Sequence, residues 1–134
     1  MPRVLVVDDS LTTRGFVRSA LEGESALGEV EVVEAVSGFD ALRLLPRGTY
    51  DLVISDINMP NINGLELLQF IRKSERHRGL PVVLISTQSS DRDRQRGLAL
   101  GASAYLAKPF TEAELRTLVL EQIGKASAGG PARG

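Results

Sequence analysis

The sequence contains no cysteine, which excludes disulfide bonds, thiolate metal sites and cysteine nucleophiles and fits a reducing compartment. It has no apolar run near the roughly 20 residues that a membrane helix needs, and its first residues run into four apolar residues and two aspartates, unlike a signal peptide. The 16 Lys and Arg against 17 Asp and Glu give a net charge of −1, without the basic excess of a protein that binds nucleic acid through phosphates. We therefore expect a soluble, cytoplasmic protein with no direct nucleic-acid contact and no membrane insertion.

The chain instead alternates between apolar, β-branched runs and amphipathic segments. Its 134 residues, 43% hydrophobic and 25% charged, suit one globular domain, which we predict over 1–125, with a disordered Ala/Gly/Ser/Pro tail over 126–134. Strands are predicted at Val4–Val7, Val30–Ala35, Leu52–Ile54, Val82–Ile85 and Ala104–Ala107. Helices are predicted at about Leu11–Glu22, after a Ser37 cap, around Leu65–Ile71, from Ser90 to about Leu100 and after a Thr111–Glu114 capping box. This alternation predicts a parallel sheet covered by helices on both faces.

Polar side chains follow four of the five predicted strands directly. The carboxyl ends of parallel strands meet at one edge of a sheet, so we expect these side chains to lie close together. They are Asp8, Asp9, Asp56, Ser86, Thr87 and Lys108. One lysine cannot balance three carboxylates, so this edge of the sheet calls for a cation.

A hard divalent cation would provide that balance, because Mg²⁺ prefers carboxylate, carbonyl and water oxygens. Asp8 or Asp9 would hold it together with Asp56, directly or through water, and the main-chain carbonyl of Asn58 is a further candidate. Mg²⁺, or Mn²⁺ in its place, is the expected cofactor. A carboxylate beside a metal, with Lys108 and a serine hydroxyl in reach of phosphoryl oxygens, suits phosphoryl transfer to that carboxylate. Asp56 is the predicted nucleophile.

Four segments of this sequence resemble the receiver domain of two-component response regulators, in that family's order and spacing, over about residues 2–125. They are VLVVDDSLTTR, DLVISDINMPNINGLEL, PVVLIST and AYLAKPF. The resemblance implies a flavodoxin-like (βα)5 α/β fold, a doubly wound parallel sheet in strand order 2-1-3-4-5. It also implies roles for individual residues: Asp56 as phospho-acceptor, Asp8 and Asp9 as Mg²⁺ ligands, Ser86 as switch hydroxyl, Tyr105 as switch aromatic, and Lys108 before a cis peptide to Pro109.

The resemblance also implies a function. A histidine kinase or phosphotransfer domain would phosphorylate Asp56, and the helix 4/strand 5/helix 5 face would then bind a downstream effector. The DDS-x-T-x-R start resembles chemotaxis or motility regulators, and the chain ends soon after its fifth predicted helix, so we expect a stand-alone, monomeric regulator. It would be no enzyme beyond promoting its own phosphorylation and dephosphorylation. The alternative is a phosphorelay intermediate or phosphate sink.

Three residues near the site depart from the family's usual pattern or tune it. Thr87 stands where the family usually has Ala or Gly, which puts access to the pocket in question. Asn58 and Gln88 hold positions that tune self-dephosphorylation, and polar groups there predict a short-lived phosphoprotein. A haloacid dehalogenase-type phosphatase is disfavoured, because Asn58 stands where that class needs a second acid. Elsewhere, we expect His77 to be solvated, and Arg92, Arg94 and Arg96 to form a solvated helix face or a partner patch.

Overall fold

The computed structural model describes residues 2–22, 30–87 and 91–133, with side chains up to residue 124. Five strands alternate with five helices along the chain. The strands are β1 Arg3–Val7, β2 Glu31–Ala35, β3 Leu52–Asp56, β4 Val82–Ser86 and β5 Ala104–Ala107. The helices are α1 Leu11–Glu22, α2 Gly38–Leu44, α3 Gly64–Lys73, α4 Asp91–Ala99 and α5 Glu112–Arg133, and a short 3-10 helix at Leu45–Arg47 follows α2.

The strands form one parallel sheet in the order β2-β1-β3-β4-β5, so the predicted fold is confirmed. All five residues of β3 and of β4 are buried, which explains why these strands are almost uninterrupted apolar runs. The edge strand β2 carries Glu31 and Glu34 at half-buried positions, which explains why its sequence is less apolar than those of β3 and β4. The register pairs Val7 with Ser55 and Asp56 with Ile85, so the strands end at a common edge.

Alternating strand residues build a core on each face of the sheet. One face packs Leu5, Val53 and Leu84 against apolar residues of α2 and α3. The other packs Val6 and Ile54 against apolar residues of α1 and α5. The sheet therefore holds the strand ends rigidly between two helical layers.

The helix ends follow their capping residues, with differences from the predictions in α1. The Ser37 hydroxyl accepts from the Asp40 N–H at 3.0 Å, and Thr111 and Glu114 form the predicted reciprocal capping box. Phe16, Val17, Ala20 and Leu21 recur at helical spacing in the sequence, which predicts Phe16 on the apolar face of α1. In the structure, Phe16 is 36% exposed and packs edge-to-face on Phe110 with ring centroids 5.7 Å apart. The buried stripe of α1 contains Arg14 instead.

Two predictions fall on segments that the structure describes only in part or not at all. The cap at Ser90 lies outside the described residues. The predicted disorder of 126–134 stays a prediction, since the backbone of α5 is helical as far as Arg133 and side chains beyond residue 124 are not described. No helix in the described part of the chain is both long and apolar enough to cross a lipid bilayer.

Candidate functional site

Three aspartates converge at the carboxyl edge of the sheet. Asp8 follows β1 and is fully buried, Asp56 ends β3 and is 5% exposed, and Asp9 faces solvent. One carboxylate oxygen from each lies within 4.8 Å of the others. The structure therefore brings together the three acids that the strand ends predicted.

Lys108 is the cation that faces this cluster. Its Nζ lies 3.0 Å from Oδ2 of Asp8 and 3.7 Å from Oδ1 of Asp56. The Lys108 main-chain N–H donates to the Ser86 carbonyl at 2.8 Å, which ties the end of β5 to the end of β4. The peptide bond from Lys108 to Pro109 is cis, as the resemblance implied. The side chain of Lys108 therefore reaches the acids from the end of β5, which is hydrogen-bonded to the end of β4.

The environment of Asp56 disfavours its charged form. Burial raises the pKa of this carboxyl above its ordinary value of 3.8, and the neighbouring Asp8 carboxylate raises it further. The Lys108 ammonium and the main-chain N–H of Asn58 lower it, but burial and Asp8 prevail. A group that adds positive charge beside Asp56 would stabilise the ionised form.

The donor set fits a hard divalent cation. Three carboxylates face one ammonium at this edge, which leaves a surplus of negative charge. All the side-chain donors are oxygens, the ligand type that Mg²⁺ prefers, and the site opens to solvent on the side of Asp9, where water can complete the coordination. The carbonyl of Asn58, two residues after Asp56, belongs to the same loop.

Ser86 and Asn58 face each other across the ends of β4 and β3. Ser86 is fully buried, and the exposed Asn58 donates from Nδ2 to its hydroxyl oxygen at 3.1 Å. Thr87 is exposed and lines an apolar groove of about 350 Å³ that Lys108 and Phe110 also line. Thr87 thus lies at the rim of the site, and Gln88 lies outside the described residues.

The loop after β3 approaches its own strand so closely that a side chain does not fit at Gly64. The Gly64 N–H donates to the Ile57 carbonyl at 2.9 Å. A Cβ atom on Gly64 would lie 2.3 Å from the carbonyl oxygen of Asp56. Asn61 supplies the turn with a positive φ of 68°, a conformation that asparagine tolerates. Glycine at position 64 therefore lets α3 begin directly beside Asp56.

Tyr105 and α4 lie on the side of the sheet next to Lys108. Tyr105 is half-buried on β5 and packs against the core cluster shared with α3. Within α4, only Gly97 is buried, and it packs so closely on the sheet that a Cβ there would lie 2.6 Å from Cδ1 of Leu84. The first half of α4, which is polar in sequence, therefore contributes no buried residue.

The remaining candidates lie away from the acids. Arg92, Arg94 and Arg96 are exposed on α4, as a solvated helix face requires. His77 is half-buried rather than fully solvated, with Nδ1 3.3 Å from the Ser74 hydroxyl oxygen. Burial and then the nearby Arg76 lower its pKa.

Arg14, the arginine of the DDS-x-T-x-R start, contacts the main chain of the site, a role that was not predicted from the sequence. Its Nη1 donates to the carbonyl oxygen of Asp8 at 2.7 Å. A signal was present, since Arg14 lies three residues before Val17, on the buried side of the α1 pattern. Its partners are distant in sequence, so the pattern alone could not assign it a role.

The sequence and the fold match known proteins over nearly the full chain. The family model of the response regulator receiver domain matches residues 4–120. A chemotaxis protein CheY homolog of Campylobacter jejuni is 33% identical over 131 residues, covering 97% of this chain and 98% of that protein. Among solved structures, chemotaxis protein CheY4 of Vibrio cholerae is 33% identical, with a TM-score of 0.80 over 92% of this chain and 98% of that one. The Francisella response regulator 1452 receiver domain is 30% identical, with a TM-score of 0.84 over 94% and 99%.

Proposed function

Because this chain belongs to the response regulator receiver domain family, we propose that Asp56 accepts a phosphoryl group from a histidine kinase or phosphotransfer domain. Phosphorylation then changes the affinity of the protein for a downstream effector. The observation that carries this proposal is the buried Asp56 carboxylate, grouped with two further carboxylates and facing the ammonium of Lys108 at 3.7 Å. The chain is a signalling protein, and the only reactions we propose for it are its own phosphorylation and dephosphorylation.

In the transfer step, an oxygen of the Asp56 carboxylate attacks the phosphorus of a phosphohistidine. The O–P bond forms, the P–N bond breaks, and the released imidazole nitrogen takes up a proton. Asp8, Asp9, Asp56 and the main-chain carbonyl of Asn58 would hold Mg²⁺ or Mn²⁺, which supplies positive charge against the phosphoryl oxygens. Lys108 Nζ and the Ser86 hydroxyl donate hydrogen bonds to those oxygens.

The switch starts at Ser86. Its hydroxyl oxygen accepts from Asn58 Nδ2 at 3.1 Å in the unphosphorylated protein. A phosphoryl group adds about −1.5 to −2 charges and strong acceptor oxygens, which draw the hydroxyl toward Asp56. Because the Ser86 carbonyl accepts from the Lys108 N–H at 2.8 Å, a shift at the end of β4 is passed to β5, on which Tyr105 lies.

The proposed readout surface is the α4/β5/α5 face. Tyr105 and Leu106 line a groove of about 430 Å³ together with residues of α5. Gly97 is the one buried residue of α4, and this small buried contribution allows the helix to respond to small shifts. Two of the similar proteins are described as chemotaxis proteins, so we propose an effector in chemotaxis or motility.

The same site also sets the lifetime of the phosphoryl group. Asn58 is exposed beside Ser86, where its amide can orient a water for attack on phosphorus. Gln88 is proposed to contribute in the same way, and Thr87, exposed at the rim, to restrict access of phosphodonors and phosphatases. We propose a short-lived phosphoprotein, and an Asp56 phosphate that persists for many hours with Mg²⁺ present would contradict this.

Intact mass spectrometry after incubation with a small acyl phosphate tests the proposal. We expect one phosphoryl increment that needs both Mg²⁺ and Asp56, so that it disappears with EDTA and in Asp56→Asn. Asp51 comes directly before β3, at the opposite edge of the sheet from Asp56, and offers a matched control. Asp51→Asn removes a carboxylate outside the cluster and should retain the increment. An increment in Asp56→Asn, or none in the wild type with Mg²⁺, would contradict the proposal.

A second measurement separates an effector-binding switch from a phosphorelay intermediate or phosphate sink. The affinity for partners that lack a phospho-accepting histidine is compared before and after phosphorylation. A change in affinity that Tyr105→Ala abolishes supports the switch. Phosphorylation that only passes the group to another histidine supports the relay.

A further inference from the structure

The side chain of Arg14 connects the acidic site to the edge strand of the sheet. Arg14 lies in α1 and is 8% exposed. Its Nη1 donates to the main-chain carbonyl of Asp8 at 2.7 Å, and its Nε donates to Oε1 of Glu34 on β2 at 2.9 Å. A guanidinium is a rigid planar fork, so it fixes two acceptors relative to each other. The Asp8 N–H already donates to the Ala35 carbonyl of β2 at 3.1 Å, and the Arg14 side chain adds a second connection, from the Asp8 carbonyl to β2.

The far end of this connection is held by a second arginine. Arg18 Nε donates to the other carboxylate oxygen of Glu34 at 2.8 Å, and its Nη2 donates to the Val32 carbonyl at 2.9 Å. Burial raises the pKa of Glu34, but the hydrogen bonds from Arg18 and Arg14 outweigh it and leave the pKa below its ordinary value. Glu34 is therefore ionised at neutral pH and fixes Arg14 in place.

The bond to the Asp8 carbonyl acts on the main chain of the site. The Asp8 side chain has separate partners, the Ser10 N–H at 2.8 Å and Lys108 Nζ at 3.0 Å. The Asp8 carbonyl belongs to the peptide that leads to Asp9, so its orientation sets where the exposed Asp9 carboxylate lies. Glu34 pairs with both Arg14 and Arg18, and Glu22 pairs with Arg18, so the two carboxylates balance the two guanidinium groups. The contribution of Arg14 is therefore geometric rather than electrostatic.

We propose that Arg14 is a positioning residue for cation binding, one that aims the Asp9 carboxylate at Asp8 and Asp56 by holding the Asp8 carbonyl. This inference rests on the proposed function of the acidic site. Replacing a residue that holds a metal ligand in place typically weakens metal affinity by 10- to 100-fold. Arg14 acts indirectly, through the main chain, so we expect an effect at the lower end of this range, about tenfold.

The matched pair Arg14→Met and Arg18→Met tests this proposal. Both variants keep an unbranched apolar side chain and remove one guanidinium from Glu34, but only Arg14 contacts the Asp8 carbonyl. Isothermal titration with MgCl₂ should show about tenfold weaker binding in Arg14→Met and unchanged binding in Arg18→Met. In cation-free protein, the amide NMR signals of Asp9 and Ser10 should shift in Arg14→Met alone.

Arg14→Lys separates geometry from charge and also serves if Arg14→Met does not fold. It keeps the positive charge but lacks the fork, so we expect weakened Mg²⁺ binding here as well. Equal Mg²⁺ affinity in the wild type, Arg14→Lys and any folded Arg14→Met would overturn the inference and leave the proposed function intact. Equal losses in the Arg14 and Arg18 variants would overturn it too, because they indicate a purely structural role. A wild-type protein that does not bind Mg²⁺ would overturn both the metal site and this inference.

Discussion

Adding one methyl group at Gly64 tests how closely α3 is packed against Asp56. An ideal Cβ there would lie 2.3 Å from the Asp56 carbonyl oxygen and 2.8 Å from Cα of Ile57, where ordinary contact begins at 3.4 Å. The overlap with oxygen is therefore 3.4 − 2.3 = 1.1 Å. Both neighbours are backbone atoms, one of them at the end of a buried strand, so neither can move aside alone.

Overpacking of this kind costs about 1–3 kcal/mol, and we expect Gly64→Ala to lower the free energy of unfolding by about 2 kcal/mol. Gly15, inside α1, is the matched control because no atom lies within 4 Å of a Cβ built on it. Alanine is the better helix former, so Gly15→Ala should raise the free energy of unfolding by about 0.5–1 kcal/mol. The same chemical change thus has opposite signs at the two positions.

Urea unfolding followed by far-ultraviolet circular dichroism measures both effects, since the chain has no tryptophan for fluorescence. Titration with Mg²⁺ adds a second readout, because a shifted Asp56 backbone should weaken cation binding in Gly64→Ala and leave Gly15→Ala unchanged. Wild-type stability together with wild-type Mg²⁺ affinity in Gly64→Ala would refute the reasoning from close approach.

Three further predictions follow from the burial and charges of other residues. Burial and then the Asp8 carboxylate raise the pKa of Asp56 in the folded protein above its ordinary value of 3.8. The free energy of unfolding therefore falls as pH rises from 3.8 to the folded pKa, and above the folded pKa the full destabilisation by the ionised carboxylate is present. In EDTA at neutral pH, Asp56→Asn should therefore unfold at higher urea than the wild type, and a lower midpoint would contradict this. Burial raises the pKa of Glu34, but Arg18 and Arg14 lower it by more, so the folded pKa lies below the ordinary value of 4.5. The ionised Glu34 therefore stabilises the folded protein fully above pH 4.5, and this contribution is lost as pH falls through the folded pKa. Glu34→Gln should lose stability at neutral pH, and its difference from the wild type should shrink in acid; a difference independent of pH would count against this ion-pair account. Amide hydrogen exchange should be faster in α4, which has one buried residue, than in α3, which has five. Equal protection in α3 and α4 would argue against a weakly anchored α4. In the same experiment, the predicted disordered tail should show no protection of its amides over 126–133.

The sequence predicted the sheet and the side chains gathered at its edge because both depend on local signals. Polar residues follow four of the five apolar runs, and parallel strands bring their ends together. Asp8, Asp56 and Lys108 could therefore be placed from the sequence. In the structure, Lys108 Nζ lies 3.0 Å from Asp8 and 3.7 Å from Asp56, and oxygens of the two carboxylates lie within 4.8 Å of each other.

The contacts that the sequence could not predict are those between residues far apart in the chain. Phe16 lies about 100° around α1 from Val17 and Arg14 about 60°, so the arginine falls inside the buried stripe and the phenylalanine at its edge. A buried arginine becomes favourable only with a charged partner, and that partner, Glu34, is 20 residues away on β2. Likewise, Phe16 finds Phe110 only once α1 and the start of α5 lie together.

The measurement that tests the central claim most directly is the location of the phosphoryl group. After phosphorylation with Mg²⁺, borohydride reduces an aspartyl phosphate to homoserine, and trypsin separates the candidates, because cleavage after arginine gives peptides 4–14 and 48–72. We expect homoserine at position 56 in the second peptide, with Asp51 unchanged there and Asp8 and Asp9 unchanged in the first. Homoserine at position 8 or 9, or at none of these positions when Mg²⁺ and donor are present, would contradict the assignment of Asp56 as the acceptor.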